Sequence, residues 1–118
     1  MLSIDQESQL YKELVVKHNN ALRATFSPVY GQVMVTPKVN FLDHINRERV
    51  FNLIKNYDNW NDGNDIHGEH NFGQVNYDGL LYYWKIDYFD KTMVKRSTDP
   101  SNNVITNRVL SIMRSDEY

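Results

Sequence analysis
The sequence predicts an α+β fold, a small antiparallel sheet of about three strands packed against three helices in the order α-β-α-β-β-α. Three observations predict it. Asp78-Gly79 separates two strand-like runs, and such a pair between such runs is a strong hairpin signal, because a tight type I′ turn needs positive φ at both central residues. Apolar residues recur at helical spacing on either side of that hairpin. Between the first two helical stretches lies a run too short and too β-branched for a helix. The chain of 118 residues is expected to form a single domain, 1–118, large enough for one hydrophobic core.

The first helix is expected over Ser3–Thr25. Ser3 with Gln6 makes a capping box. Leu10, Leu14, His18, Ala21 and Leu22 form a stripe, with Tyr11, Val15 and Phe26 beside it. Ser27-Pro28 ends the helix, since proline disfavours helical backbone in the residue before it. His18, on the apolar edge, reads as a packing residue. Gln32–Thr36 is the first strand, bounded by Gly31 and Pro37, and its apolar run Val33-Met34-Val35 suggests burial on both sides. A second helix is expected over Asp43–Asn59, with Asp43 as N-cap and Val50, Leu53, Ile54 and Tyr57 on its buried stripe. The turn-rich segment Asn59–Asn64 follows. After Asp90 a polar connector, Lys91–Ser101, leads to a last helix starting near Asp99 or Asn102 and running to about Ser115, with Ile105, Val109, Ile112 and Met113 buried. Asp99-Pro100 supports that start, since aspartate caps and proline fits the first turn.

The hairpin carries most of the chemistry. A two-residue loop sets Tyr77 opposite Leu80, Val75 opposite Tyr82 and Gly73 opposite Trp84. Alternation then places Val75, Tyr77, Leu80, Tyr82, Trp84, Ile86 and Tyr88 on one face, which should pack on helices. The other face carries Phe72, Gln74, Asn76, Leu81, Tyr83, Lys85 and Asp87, and Phe72, Leu81 and Tyr83 are expected to be solvent-exposed. Continuing the register towards the preceding loop sets His70 opposite Asp87 and His67 level with Asp90.

Composition narrows the functions. The formal net charge is −2, which argues against broad nucleic-acid binding, since that needs a basic surface. There is no cysteine, hence no disulfide, thiolate nucleophile or thiolate zinc site, and the expected location is a reducing cytoplasm. No signal peptide or transmembrane run is expected. The eight tyrosines suit contact surfaces as well as cores.

The residues His67, Glu69, His70, Asp87 and Asp90 admit three readings. As an acid–base site, His70 is the base, Asp87 its orienter and Glu69 an acid, with His67 nearby, in a hydrolase or nuclease. As a metal site, His67 and His70 supply two ligands and Asp90 or Asp87 a third. As structure, His70–Asp87 and His67–Asp90 are hydrogen-bonded pairs tying the loop to the sheet. The last is preferred, and neither metal nor cofactor is expected. Lys85 with Tyr83 and Gln74 could stack single-stranded nucleic acid, but the rest of that face lacks Lys and Arg.

The run His67-Gly68-Glu69-His70-Asn71-Phe72-Gly73, then Trp84-Lys85-Ile86-Asp87-Tyr88-Phe89-Asp90, Asp99-Pro100, Arg108-Val109-Leu110, Ile112-Met113 and Glu117-Tyr118, resembles a bacterial family catalogued as domain-of-unknown-function family 3768. The resemblance is specific from Asp65 onwards. It departs from the family pattern at Ile66, where the family has proline, and at Asn71, where it has aspartate. An amide at Asn71 neither titrates nor ligates metal well, which weakens the acid–base and metal readings. The resemblance implies no assigned activity; it implies an accessory gene of bacteria, plasmids or phages. The function expected is therefore a small protein-binding protein whose partner is another protein, such as a host protein met by a phage- or plasmid-borne factor. Phe72, Gln74, Leu81, Tyr83 and Lys85 are its contact surface, and a homodimer through this face is the nearest variant.

Overall fold
The computed structural model describes residues 1–61 and 63–118; position 62, within the turn-rich segment, lies outside the described residues. The elements are α1 (Ile4–Thr25), β1 (Gln32–Val35), α2 (Pro37–Asn40), α3 (His44–Lys55), β2 (Phe72–Tyr77), β3 (Leu80–Phe89) and β4 (Asn107–Arg114), followed by a 3-10 turn (Ser115–Glu117). The class is α+β. The sheet has four strands in the order β1-β4-β3-β2, with β1 parallel to β4 and the other pairs antiparallel.

α1 starts as its capping box dictates. Ser3 Oγ accepts the Gln6 amide at 3.1 Å, and Gln6 Oε1 accepts the Ser3 amide at 2.9 Å. Its buried positions are Val15, Asn19, Leu22 and Arg23, and Tyr11 and Phe26 also pack on the core. The buried stripe is thus rotated away from Leu10, which is exposed. Asp43 caps α3 as expected, with Oδ1 accepting the Asn46 amide at 2.8 Å. α3 ends at Lys55 rather than Asn59; Val50 and Ile54 are buried, Tyr57 follows them into the core, and Leu53 faces outward, exposed.

The hairpin has the expected register, with Tyr77 opposite Leu80, Val75 opposite Tyr82 and Gly73 opposite Trp84. Asp78 and Gly79 have φ of 54° and 76°, the two positive values the turn requires. Gly73 leaves the space that the Trp84 indole fills: a Cβ there would lie 2.5 Å from Trp84 Nε1.

The expected last helix is instead β4, the strand between β1 and β3. β4 is buried on both faces: Leu110 and Ile112 on one, Val109 and Met113 on the other. A strand shielded on both sides becomes a nearly continuous apolar run, and a run of that kind also fits a helical stripe. With β4 in this place, β1 is an edge strand and does not adjoin the hairpin; Met34 is exposed, so burial on both sides does not hold for β1.

One face of the sheet and all three helices share a single core: Val75, Tyr82, Trp84, Ile86, Tyr88, Leu110 and Ile112 pack with Val15 and Leu22 of α1, Val39 of α2, and Val50 and Ile54 of α3. The opposite face carries Phe72, Gln74, Tyr83, Lys85, Asp87, Ser111 and Met113. The 3-10 turn lies against β3, and Glu117 fixes it by accepting the Thr36 hydroxyl at 2.6 Å and the amides of Lys38 at 3.1 Å and Arg114 at 3.0 Å. Asp116 adds ion pairs with Arg114 and Lys38. No helix among the described residues is long and apolar enough to cross a membrane.

Candidate functional site
The β2–β3 ladder runs one rung beyond Phe72, where Asn71 O accepts the Ile86 amide at 2.8 Å. At His70 the chain turns away, with φ of 54°. That turn breaks the extrapolated register, so His70 does not meet Asp87. The His70 amide instead donates to Asp65 Oδ1 at 3.0 Å, and its ring Nε2 lies 3.5 Å from Asp65 Oδ2. Nδ1 lies 3.2 Å from Asn20 Oδ1, and the ring stacks on Trp60 with centroids 3.9 Å apart. Burial lowers the His70 pKa, with the Asp65 charge opposing and the Arg23 charge reinforcing the shift. The imidazole thus clamps α1, the loop after α3 and the start of β2 together.

Arg23 stands beside this clamp and caps α3. Its Nη1 donates to the last-turn carbonyls of Ile54 at 3.0 Å and Lys55 at 2.8 Å, where Ile54 O also accepts the Tyr57 amide at 3.1 Å. The guanidinium also lies over Trp60 and Trp84, 5.5 and 5.8 Å from the ring centroids.

Glu69 belongs to a second, buried polar network. Its Oε1 accepts the Tyr88 hydroxyl at 2.8 Å, and its carbonyl accepts Asn19 Nδ2 at 2.9 Å. Asn19 Nδ2 also reaches the Tyr88 oxygen at 2.8 Å, while Asn19 Oδ1 accepts Arg108 Nε at 3.0 Å. Arg108 donates further to Asn103 Oδ1 and Pro100 O. Burial pushes the Tyr88 phenol far above its ordinary pKa, reinforced by Glu69, so it remains a hydrogen-bond donor.

The remaining candidates are elsewhere. Asp87 pairs with Lys85 at 3.1 Å on the helix-free face. Asp90 does not meet His67: its Oδ1 accepts the Thr92 amide and hydroxyl at 3.1 and 2.6 Å, closing a local turn. His67 is exposed and lines a groove of about 480 Å³ with Ile66, Asn71, Phe72, Gln74 and Tyr118. The four acid–base candidates His67, Glu69, His70 and Asp87 are thus spread over four settings. Among the described residues no group of three His, Asp or Glu side chains is arranged to hold a metal ion, so His67, His70 and Asp90 do not converge.

The contact-surface candidates do come together. Phe72, Gln74, Leu81, Tyr83 and Lys85 share the face opposite the helices. Gln74 is exposed, but Phe72, Leu81 and Tyr83 are half-buried rather than exposed. Tyr118 adds a third ring, edge-on to Tyr83 at 5.4 Å and to Phe72 at 6.5 Å, with Phe72 and Tyr83 5.7 Å apart. Tyr118 is itself 78% exposed, so the cluster remains open to solvent on its outer side.

Sequence reasoning missed Asn19, Tyr88 and Arg108 as a network. A signal existed in Asn19, a polar residue four after Val15 and three before Leu22, on a stripe that has to be buried. Its partners could not be read, because Arg108 was assigned to a helix.

The family described as "Protein of unknown function (DUF3768)" matches residues 35–117, a span that begins at the last residue of β1 and includes α2, α3 and β2 to β4. No curated protein and no solved structure matches the chain.

Proposed function
The chain belongs to the DUF3768 family, and on that premise we propose that it is a protein-binding module that presents the helix-free face of its sheet to another protein. The observation that carries this reading is the Phe72–Tyr83–Tyr118 cluster, three rings held together on the face that α1, α2 and α3 do not cover. Rigid aromatic anchors of this kind concentrate binding energy at protein interfaces. Gln74, Leu81 and the Lys85–Asp87 pair surround the rings and supply a mixed rim. The dispersal of His67, Glu69, His70 and Asp87 favours this reading over a hydrolase or nuclease. The finer form of the proposal takes a host protein as target, in keeping with the mobile-element setting the resemblance implies.

The test compares immobilised wild type with Tyr83→Ala and Phe72→Ala on one host lysate, after thermal melting has shown both variants folded. A partner retained by wild type and lost by both variants is the expected result. Identical capture by all three proteins sinks the surface. Sedimentation of the purified protein asks separately whether a second copy occupies the face.

A further inference from the structure
A small polar cavity of about 170 Å³ lies between the turn before β1 and the start of β4. The side chains that matter in its lining are Lys91, Asn103, Thr106, Asn107 and Arg108. It is smaller than the roughly 300–1,000 Å³ of sites for drug-sized ligands. It is also much larger than the roughly 10–15 Å³ that one water needs. Its roof is fixed, because Gly31 packs directly on β4: a Cβ there would lie 2.6 Å from Arg108 O.

The charges around it are one-sided. Arg108 is 1% exposed, and the three hydrogen bonds its guanidinium makes among the described residues go to neutral acceptors, namely Asn19 Oδ1, Asn103 Oδ1 and Pro100 O. Among the described residues Lys91 Nζ donates to Asn107 Oδ1 at 3.2 Å and Thr106 O at 3.4 Å. Neither cation has a carboxylate within ion-pair distance among the described residues, and no residue lining the cavity is acidic. The carboxylate in Arg108's own network, that of Glu69, is reached only through Asn19 and Tyr88, so the guanidinium lacks a direct counter-charge among the described residues and a bound anion offsets part of the cost of its burial. Donors remain for one: the exposed Lys91 ammonium has three N–H groups and two contacts, at 3.2 and 3.4 Å, and Asn107 Nδ2 reaches Asp90 O only at 3.5 Å, beside Met93 Sδ at 3.4 Å.

We propose that this cavity binds a small oxyanion, either free phosphate or the phosphate group of a small ligand, with Lys91 and Asn107 donating to it and Arg108 supplying positive potential through Asn103. Charge-assisted donors converging on an oxyanion are among the strong hydrogen bonds. The site is independent of the Phe72–Tyr83–Tyr118 face, so either proposal can fail without the other.

The experiment titrates the full chain with inorganic phosphate, against chloride at matched ionic strength, following heat of binding and melting temperature. Wild type is expected to bind phosphate and melt higher in it than in chloride. Lys91→Gln should weaken phosphate about tenfold or more, and Asn107→Asp, which places a carboxylate in the cavity, should abolish it. Lys12→Gln, an exposed lysine on α1, should bind as wild type does. Melting without phosphate shows that each variant is folded. No preference for phosphate over chloride in wild type, or unchanged binding in either cavity variant, overturns the proposal. Adenosine monophosphate as a second titrant tells the sources apart: tighter binding than phosphate points to a phosphate carried on a larger molecule, and binding no tighter points to the free anion.

Discussion

The two faces of this sheet have the same strands, the same register and similar numbers of aromatic side chains, yet they are put to different uses. On the helix side Tyr82, Trp84, Ile86 and Tyr88 are buried beneath α1, α2 and α3. One position along on β3, Tyr83 and Lys85 are half-buried, and the ring packing there comes from Phe72 and Tyr118. Ring content alone therefore does not mark a core. What differs is the layer above: three helices with a shared apolar cluster on one side, a short turn tied down by Glu117 on the other. Area removed from water stabilises the fold on the first face, while the second keeps apolar area available for a partner.

The comparison can be broken by mutation. The largest effect is expected at Trp84→Ala, a loss of about 3–5 kcal/mol of unfolding free energy in urea titration. Tyr83→Ala, its neighbour on the other face, should cost under about 1.5 kcal/mol in the same measurement, since most of its ring contact is to residues that stay solvated. Equal losses at the two positions contradict the asymmetry of the faces. Asn19→Leu comes next. It leaves Arg108 Nε and the Glu69 carbonyl without their partner, at a cost of about 2–3 kcal/mol by the same titration. Gly73→Ala tests how closely the helix side is packed. Its Cβ would meet Trp84 Nε1 at 2.5 Å and the Tyr57 ring at 2.7 Å, and overpacking of that kind costs about 1–3 kcal/mol.

The smallest effect is a pH dependence from two histidines, His18 on α1 and His70 packed against it. Burial lowers the pKa of His18, assisted by the Arg108 charge, and lowers that of His70 against the pull of Asp65. A base with a lowered folded value binds protons more readily when unfolded. Stability is therefore full above the unfolded value near 6.5 and declines as the pH falls through it towards the folded values. Melting temperatures should drop between pH 7 and pH 5, and His70→Phe, which keeps a ring against Trp60, should reduce that slope.

What could be read in advance follows from the range of the forces involved. The hairpin was legible because Asp78-Gly79 sets its own backbone, and α1 because Ser3 and Gln6 cap each other within one turn. β4 was not, because Val109, Leu110, Ile112 and Met113 are buried on two faces and satisfy either period. The His70–Asp87 pairing failed for a local reason, the positive φ at His70, which no glycine or turn dipeptide announced at that position. The five contact-surface residues were placed on one face correctly, since a fixed register carries that information. Tyr118 was not foreseen beside them, because the turn that delivers it is anchored to Thr36 and Lys38 on the far side of the chain.

The parallel pairing of residues 32–35 with residues 109–112 has a consequence for how the protein comes into being. β1 finds no neighbour in the sheet, and the hairpin only one, until residues 107–114 exist. During synthesis on the ribosome, β1 and the free edge of β3 must therefore wait unpaired for the segment that joins the two halves of the sheet. Assembly of the sheet is gated by β4, the last of its four strands in chain order.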